Sequence, residues 1–417
     1  MKEFLIGAST AAHQVEGNNC YNDTWAQEQM KTSGYAEKSG LAANHYVTYK
    51  EDIQKMKEAG LNAYRFSLEW SRIEPEEGKY DESATEHYRD VIRTCQNNGI
   101  EPVVTLFHFT SPKWLIEKYG WEDERTIACF ARYVRYICKA YANENLNYIC
   151  TINEANIGVL IAKYMRMAME NAQKERGALA IGMDVEAMSR MQKEQERENM
   201  EFFHRPDPAF FVAPRSENGI RIVKEAHKKA VEIIHELLPS CKAGLSLSLN
   251  DLQWTEKGKE EADKLWQSEF EQFKDALEND DYFGLQNYTR SVINENGEMP
   301  VEEGKEVTQM GYEYYPEGLA HITRRVYEEL HKEILITENG IATSDDKRRV
   351  AFIQTALEGI KALREDGIPV TGYLHWSLID NYEWQSGFSM QFGLMCNDEN
   401  HTAKPSLAYL GSWKGKL

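Results

Sequence analysis

Two glutamates stand at the ends of short apolar runs that lie far apart in the chain. The first run is Tyr148–Glu154 and the second is Ile334–Gly340, and their acids are Glu154 and Glu338. Each run has the composition of a buried parallel strand, which would carry its acid to the rim of a barrel. Cleavage of a glycosidic bond requires two carboxyl groups flanking that bond. A lone strand-end glutamate is usually a surface residue or a cap, so it is the pair that predicts glycosidase chemistry.

Strand-like segments alternate with amphipathic helical segments along the whole chain. The strand candidates are Phe4–Ser9, Ala63–Leu68, Pro102–His108, Tyr148–Asn153, Ala243–Leu249, Tyr282–Tyr288, Ile334–Glu338 and Val370–Trp376. Helical stretches between them include Lys50–Ala59, Thr126–Tyr141 and Ile222–Leu238. This alternation predicts an α/β fold with a parallel sheet, and eight strands are the number that closes a (β/α)₈ TIM barrel. An open, doubly wound sheet is the alternative.

Length and composition limit the classes of protein to consider. The 417 residues suffice for one large barrel, and no Pro/Gly/Ser-rich linker divides them, so residues 1–417 are predicted to form a single domain. The formal net charge of −19 argues against a nucleic-acid partner or an anionic membrane surface. Aromatic residues make up 11% of the chain, which excludes an acidic disordered protein.

The cysteines and the first residues of the chain indicate the cellular compartment in which the protein is expected. Seven cysteines without regular spacing favour reduced thiols in a cytoplasmic protein. The segment Met1–Gly7 runs directly into strand-like sequence, so no signal peptide is expected, and no long apolar span follows. Zinc-ligand spacings are missing and the eleven histidines are scattered, so we expect neither a metal nor a cofactor. The sequence does not indicate an oligomeric state.

Residues near the two acids suggest separate roles for them. Arg65 ends the second strand candidate, and an arginine aimed into the pocket would keep a neighbouring carboxylate ionised, as a nucleophile requires. Tyr288, at the end of the sixth candidate, would donate a hydrogen bond to the same carboxylate. The partner acid must instead have a raised pKa. The spacing between the acids decides between a retaining and an inverting mechanism, and the residues alone leave that open.

Five segments in the same order along the chain resemble signatures of glycoside hydrolase family 1, the β-glucosidase family. They are Gly7–Gly17, Thr151–Glu154, Gly311–Leu319, Ile336–Gly340 and Trp376–Trp384. The resemblance implies a (β/α)₈ barrel and a retaining mechanism, with Glu338 as the nucleophile and Glu154 as the acid/base. It also implies that Trp376 lies beneath the sugar ring. The residues implied to bind sugar hydroxyls are Gln14, His108, Asn153, Glu383 and Trp384.

The same resemblance narrows the substrate to small β-glycosides. Members acting on 6-phosphorylated sugars usually have Ser where this chain has Glu383, and the following segment Ser386–Phe392 contains no Lys or Arg. A non-phosphorylated β-glucoside, with tolerance for β-galactosides or β-fucosides, is therefore expected. The alternatives are a 6-phospho-β-glucosidase, a non-catalytic sugar-binding protein on the same barrel and a metal-dependent barrel hydrolase.

Several positions depart from the family pattern, mostly on the leaving-group side. Ala155 replaces the usual Pro after the acid/base, and Gln286-Asn287 replaces a more frequent Asn-Tyr pair. Residues from roughly 160 to 215 resemble an extended helical insertion after the fourth strand, and Met165–Met200 holds seven of the fourteen methionines. Two interpretations remain open: surface helices whose methionines pack on the barrel, or a wall over the site that selects a bulky aglycone.

Overall fold

Eight parallel strands close into a barrel in the computed structural model, which describes residues 3–176 and 185–417. Around the barrel the order is β1-β2-β3-β4-β5-β7-β10-β11, and β11 pairs with β1 to close it. The barrel strands are β1 (Leu5–Ser9), β2 (Ala63–Ser67), β3 (Glu101–Thr105), β4 (Tyr148–Cys150), β5 (Lys242–Ser248), β7 (Tyr282–Gln286), β10 (Glu333–Asn339) and β11 (Val370–Trp376). The predicted (β/α)₈ fold is confirmed.

Most barrel strands end earlier than the sequence pattern predicts. The β3 strand ends at Thr105 rather than His108, and β4 ends at Cys150 rather than Asn153. The apolar run continues past the last paired residue because the rim loops are themselves buried, as at Phe107 and Ile152. The polar side chains that follow therefore lie on the loops above the strands, where a TIM barrel places its functional groups.

Helices surround the barrel and bury one face each against it. Several begin with a side-chain cap; the Asp81 carboxylate accepts from two backbone N–H groups at the start of α5, and Ser216 caps α10. The α-helices of the described residues are α1 (Ala12–Val15), α2 (Asp23–Glu28), α3 (His45–Ala59), α4 (Trp70–Ile73), α5 (Glu82–Asn97), α6 (Lys113–Lys118), α7 (Arg125–Ala140), α8 (Ile157–Arg176), α9 (Val185–Phe203), α10 (Glu217–Leu237), α11 (Lys259–Glu269), α12 (Gly318–Leu330), α13 (Asp346–Glu365) and α14 (Pro405–Gly411).

A second, small sheet lies among the loops that follow β5 and β7. Its strands are β6 (Asp251–Trp254), β8 (Arg290–Asn294) and β9 (Gly297–Glu298), in the order β6-β8-β9. It pairs the two long loops with each other, so this part of the rim is held by backbone hydrogen bonds.

The barrel interior is filled, so it forms a core below the rim. A buried cluster combines one side chain from each of seven strands: Leu5, Ala63, Val103, Tyr148, Tyr282, Leu335 and Leu374. Such layers are typical of TIM barrels, whose functional groups lie at the carboxyl-terminal end of the strands. All seven cysteines are free thiols. Within residues 3–176 and 185–417, no helix has the length and apolarity needed to cross a bilayer.

Candidate active site

Glu338 is the penultimate residue of β10, at an irregularity in the strand. The pairing of β10 shifts register at this point with both neighbouring strands, β7 and β11. Bulges of this kind re-aim a side chain and are common beside active sites. The chain then passes so close to β11 that a Cβ on Gly340 would lie 1.9 Å from the carbonyl oxygen of Trp376. The glycine of this motif is therefore required by backbone packing.

Glu154 lies on the loop after β4, in a backbone conformation that is unusual for a non-glycine residue. Its φ is 42°, in the left-handed region. The Glu154 N–H donates to the Ser246 hydroxyl at 3.2 Å, and the Ala155 N–H donates to the Ser246 carbonyl at 3.1 Å. The second bond accounts for the departure from the family pattern, because a proline at position 155 has no N–H to donate.

Both glutamates line one cavity of about 470 Å³ at the open end of the barrel. Pockets of this size are typical of small-molecule sites. Eight of the ten site residues that the sequence predicts line this cavity: Gln14, His108, Glu154, Tyr288, Glu338, Trp376, Glu383 and Trp384. The other two, Arg65 and Asn153, are buried and hydrogen-bonded to cavity residues. The structure therefore brings the whole predicted set together.

Glu338 is held by one cation and one hydroxyl. Arg65 Nη1 lies 2.5 Å from Glu338 Oε1, and the Tyr288 hydroxyl donates to Oε2 at 2.5 Å. Burial raises the pKa of the Glu338 carboxyl, whereas the Arg65 guanidinium and the Tyr288 hydroxyl oppose that rise by stabilising the carboxylate. Each oxygen of Glu338 thus has its own donor, which fixes the orientation of the carboxylate.

The orientation of the Asn153 amide follows from its partners. Its Oδ1 accepts from Arg65 Nη2 at 2.5 Å, from Gln286 Nε2 at 2.7 Å and from the Ser246 hydroxyl at 3.3 Å. The Nδ2 group therefore points to His108 Nε2, 3.1 Å away, which must accept. Burial holds the pKa of His108 well below its usual range, so the ring is neutral and its proton is on Nδ1. That Nδ1 is buried without a partner among the described residues and is free to donate to a substrate hydroxyl.

A second group of polar atoms lies near the chain segment that follows β11. Gln14 Nε2 donates to Glu383 Oε2 at 3.2 Å and to the Tyr382 carbonyl at 2.9 Å, while Gln14 Oε1 has no partner among the described residues. Trp376 stacks against His108 with ring centroids 5.8 Å apart, leaving an apolar surface at the cavity floor. A polyol has the matching chemistry, since its hydroxyls donate and accept while its C–H face is apolar.

Glu154 lies in a different electrostatic environment from Glu338. Burial, followed by repulsion from the Glu338 carboxylate, raises the pKa of Glu154 to about 8. Enclosure in the cavity likewise raises the pKa of Glu383 to about 8. A carboxyl that stays protonated near neutral pH can act as a general acid, whereas one held against a guanidinium can act as a nucleophile.

The pKa of Glu154 predicts the basic limb of the pH profile. The protonated acid is present below about pH 8 and is lost above it, so we expect kcat/KM to fall tenfold per pH unit above that value. The measurement is kcat/KM from pH 5 to 10 on an alkyl β-glucoside. Because Glu383 has a similar pKa, Glu383→Gln is the control, and loss of the limb in that variant would assign it to Glu383.

Two residues of the site were not predicted as such from the sequence. Ser246 and Gln286 hold Asn153, and Ser246 also holds the backbone of Glu154. Gln286 had a signal, as a departure from the family pattern beside Tyr288. Ser246 had none, because a serine inside a strand has no distinguishing pattern.

Removal of the Ser246 hydroxyl is expected to affect catalysis. In Ser246→Ala the buried Glu154 N–H loses its acceptor, which costs about 1–3 kcal/mol. We expect kcat/KM to fall about 10- to 100-fold, with a lower melting temperature. Ser268→Ala is the control, because that hydroxyl donates only within its own helix. Unchanged kcat/KM in Ser246→Ala would show that the loop holds Glu154 without this contact.

Four of the seven methionines in the methionine-rich segment fit neither interpretation of it. Met165, Met169, Met191 and Met200 are exposed, so these side chains do not pack on the barrel. They do not line the cavity either; the cavity wall is formed by the first two turns of α8, which precede them. Of the other three, Met167 on α8 is half-buried, Met188 is on α9 but its side chain is not described, and Met183 lies outside the described residues.

Metal chemistry has no candidate site in the described part of the chain. No group of three or more His, Cys, Asp or Glu side chains in residues 3–176 and 185–417 is arranged to hold an ion. Two of the cavity carboxylates have protein partners instead: Glu338 accepts from Arg65 and Tyr288, and Glu383 accepts from Gln14.

An eight-stranded parallel barrel that brings two carboxyl groups into one cavity is the architecture of a glycoside hydrolase. Comparison with family models gives the same result. The model described as glycosyl hydrolase family 1 matches residues 1–178 and 254–410, and the chain belongs to this family. Residues 179–253, which include α9, α10 and Ser246, lie outside the two matched stretches.

Individual relatives agree with the family. The crystal structure of the β-glycosidase BGL167 is 36% identical, with a TM-score of 0.88 over 99% of this chain and 96% of that one. Beta-glucosidase A of Thermotoga maritima is 28% identical over 98% of this chain and 95% of its own length. A 6-phospho-beta-galactosidase of Clostridium acetobutylicum is 26% identical over 97% and 94%.

Proposed function

We propose that this protein is a retaining β-glycosidase that hydrolyses terminal, non-phosphorylated β-D-glucosides. The observation that carries the proposal is the contrast between the two cavity acids. Glu338 has a guanidinium and a phenol on its two oxygens, whereas burial and the neighbouring carboxylate raise the pKa of Glu154 to about 8. One acid is arranged to be an anion and the other to carry a proton, which is the division of roles that retaining hydrolysis needs.

The reaction then proceeds in two displacements. Glu338 attacks the anomeric carbon while Glu154 gives its proton to the glycosidic oxygen, so the C–O bond to the leaving group breaks and a glycosyl ester forms. Glu154, now a carboxylate, takes a proton from water as that water attacks the same carbon. The ester bond breaks, Glu338 is released as a carboxylate, and the sugar keeps its β configuration.

The sugar is held by the unpartnered polar atoms of the cavity. Gln14 Oε1 would accept from a hydroxyl and His108 Nδ1 would donate to one, while Glu383 and Trp384 line the same side. A 6-phosphate is disfavoured because the described residues of the cavity lining include no Lys or Arg to neutralise it, whereas three carboxyl groups line the space. This favours β-glucosidase over 6-phospho-β-glycosidase activity.

We also propose a domain organisation and a cellular location for the enzyme. The whole chain acts as one barrel domain, with residues of about 160–215 forming an extended segment after the fourth barrel strand. Its seven free thiols suit a reducing cytoplasm, and its net charge of −19 suits a small-molecule substrate rather than nucleic acid. The role is carbohydrate breakdown.

The product's configuration tests the proposal directly. NMR during hydrolysis of an aryl β-glucoside should show β-glucose first, with the α anomer appearing later by mutarotation. A 2-deoxy-2-fluoro-β-glucoside with a good leaving group should label Glu338, as read by mass spectrometry of the peptides. Immediate α-glucose would indicate an inverting enzyme, and binding of glucosides without turnover would indicate a sugar-binding protein.

A further inference from the structure

One face of α8 forms an apolar wall of the cavity. Ile157, Leu160, Ile161 and Tyr164 are spaced as i, i+3, i+4 and i+7, so they share one face of the helix, and all four line the cavity. The helix begins three residues after Glu154, the proposed proton donor. This wall is therefore on the side where the leaving group departs, rather than on the side of Gln14 and Glu383.

Other apolar side chains line the same cavity. Met310 and Tyr312 come from the loop before α12, and Val212 comes from the loop before α10. Tyr164 and Tyr312 are 45% and 37% exposed, which places both rings at the cavity mouth. Both rings line the same cavity as Glu154, so they border the path to the acid/base.

Two of the polar residues in this half already have partners within the protein. Asn250 Nδ2 donates to the Ser291 hydroxyl at 3.0 Å, and the Thr289 hydroxyl donates to the Glu313 carbonyl at 2.8 Å. Among the side chains that the structure describes, neither a Lys nor an Arg lines the cavity. A second sugar in this half would bury several hydroxyl groups against apolar side chains, and an unpaired buried hydroxyl is costly.

We propose that this apolar slot binds the leaving group and selects an uncharged, hydrophobic aglycone, aromatic or alkyl, over a second sugar. The inference rests on the proposed β-glycosidase function and adds the chemical class of the aglycone. The wall that selects it is formed by the first two turns of α8 together with Tyr312, and not by the exposed methionines that follow on the same helix.

A series of alkyl β-glucosides tests the slot without changing the chemistry of the leaving group. Methyl, butyl and hexyl β-glucoside release alcohols of similar acidity, so their rates differ mainly through apolar burial. Each methylene that enters the slot should raise kcat/KM roughly two- to fourfold. Hexyl β-glucoside should therefore exceed both methyl β-glucoside and cellobiose by at least about tenfold.

Variants then locate the effect on α8. Ile161→Ser should reduce the hexyl-to-methyl ratio of kcat/KM about fivefold or more, because the serine removes apolar surface that the longer chain would contact. Met165→Ser is the matched control, because Met165 is on the same helix, is 46% exposed and does not line the cavity. It should leave both rates unchanged.

The outcomes separate this inference from the function on which it rests. Two results would overturn the apolar slot and leave the β-glucosidase function intact. One is the same kcat/KM on methyl, butyl and hexyl β-glucoside, and the other is faster hydrolysis of cellobiose than of hexyl β-glucoside. An equal ratio in Ile161→Ser and wild type would place the apolar site elsewhere and also overturn the assignment to α8. No turnover of any β-glucoside would contradict the proposed function itself.

Discussion

Glu338→Gln is expected to lose at least about 10⁴-fold in kcat/KM on an aryl β-glucoside, with a folded barrel. The amide keeps the size of the side chain and the hydrogen bond with Tyr288 but has no charge with which to attack the anomeric carbon. It also leaves the buried Arg65 without its anion, so a lower melting temperature is expected. Steady-state kinetics with circular dichroism separate the chemical effect from the structural one.

The matched control for this substitution is on the same strand. Glu333→Gln changes a glutamate at the opposite end of β10, outside the cavity, and should retain wild-type kcat/KM. In the smaller variant Glu338→Gly, added azide or formate should restore turnover and give an α-linked product, because the external anion attacks from the face that Glu338 occupied. Wild-type-like activity in Glu338→Gln would contradict the nucleophile assignment.

Glu154→Ala is expected to affect substrates according to their leaving groups. On alkyl β-glucosides the loss in kcat/KM should be about 10²–10⁴-fold, because an alkoxide cannot depart without a proton. On a dinitrophenyl β-glucoside the loss in the first displacement should be small, since that phenolate leaves unprotonated. The basic limb predicted near pH 8 should vanish in this variant.

Added azide distinguishes a role in proton transfer from a role in folding. A small anion in the space left by Glu154→Ala should attack the glycosyl-enzyme from the side of the lost acid/base and give a β-glycosyl azide. Azide has no such effect on a merely destabilised protein. Equal losses on the alkyl and dinitrophenyl substrates would contradict the acid/base assignment.

Much of the fold was predictable because the strands are buried on both faces. Runs such as Ile334–Glu338 are apolar for most of their length, and amphipathic helices such as α10 separate them, so their number and order could be read directly. Strand ends were less predictable. The rim loops are buried, so the apolar sequence continues past the last residue that pairs with a neighbouring strand. The sequence pattern therefore predicts His108 and Tyr288 on strands, although they lie on loops.

Some residues of the candidate site could likewise be predicted from the sequence, and others could not. Gln14, Glu383 and the two acids are recognisable because each stands in a distinctive local motif. Ser246 is not, because its part in the site depends on where β5 lies beside β4, a contact between residues 92 positions apart. The sequence left two interpretations of the methionine-rich segment open and did not identify the apolar lining. Which face of α8 meets the cavity depends on the rotation of the helix about its axis, and the structure places Ile157, Leu160, Ile161 and Tyr164 on that face.

The sequence by itself determined the eight-stranded alternation, the two glutamates and the arginine and tyrosine that were expected to distinguish them. These features can be recognised from short local sequence patterns. Only the tertiary structure decided that Arg65 and Tyr288 both reach Glu338, that Glu154 lies without a cation of its own, and that an apolar helix face adjoins it. Those facts depend on barrel closure, which joins strands hundreds of residues apart, and on the low-dielectric cavity that closure creates, where burial and neighbouring charge set each pKa.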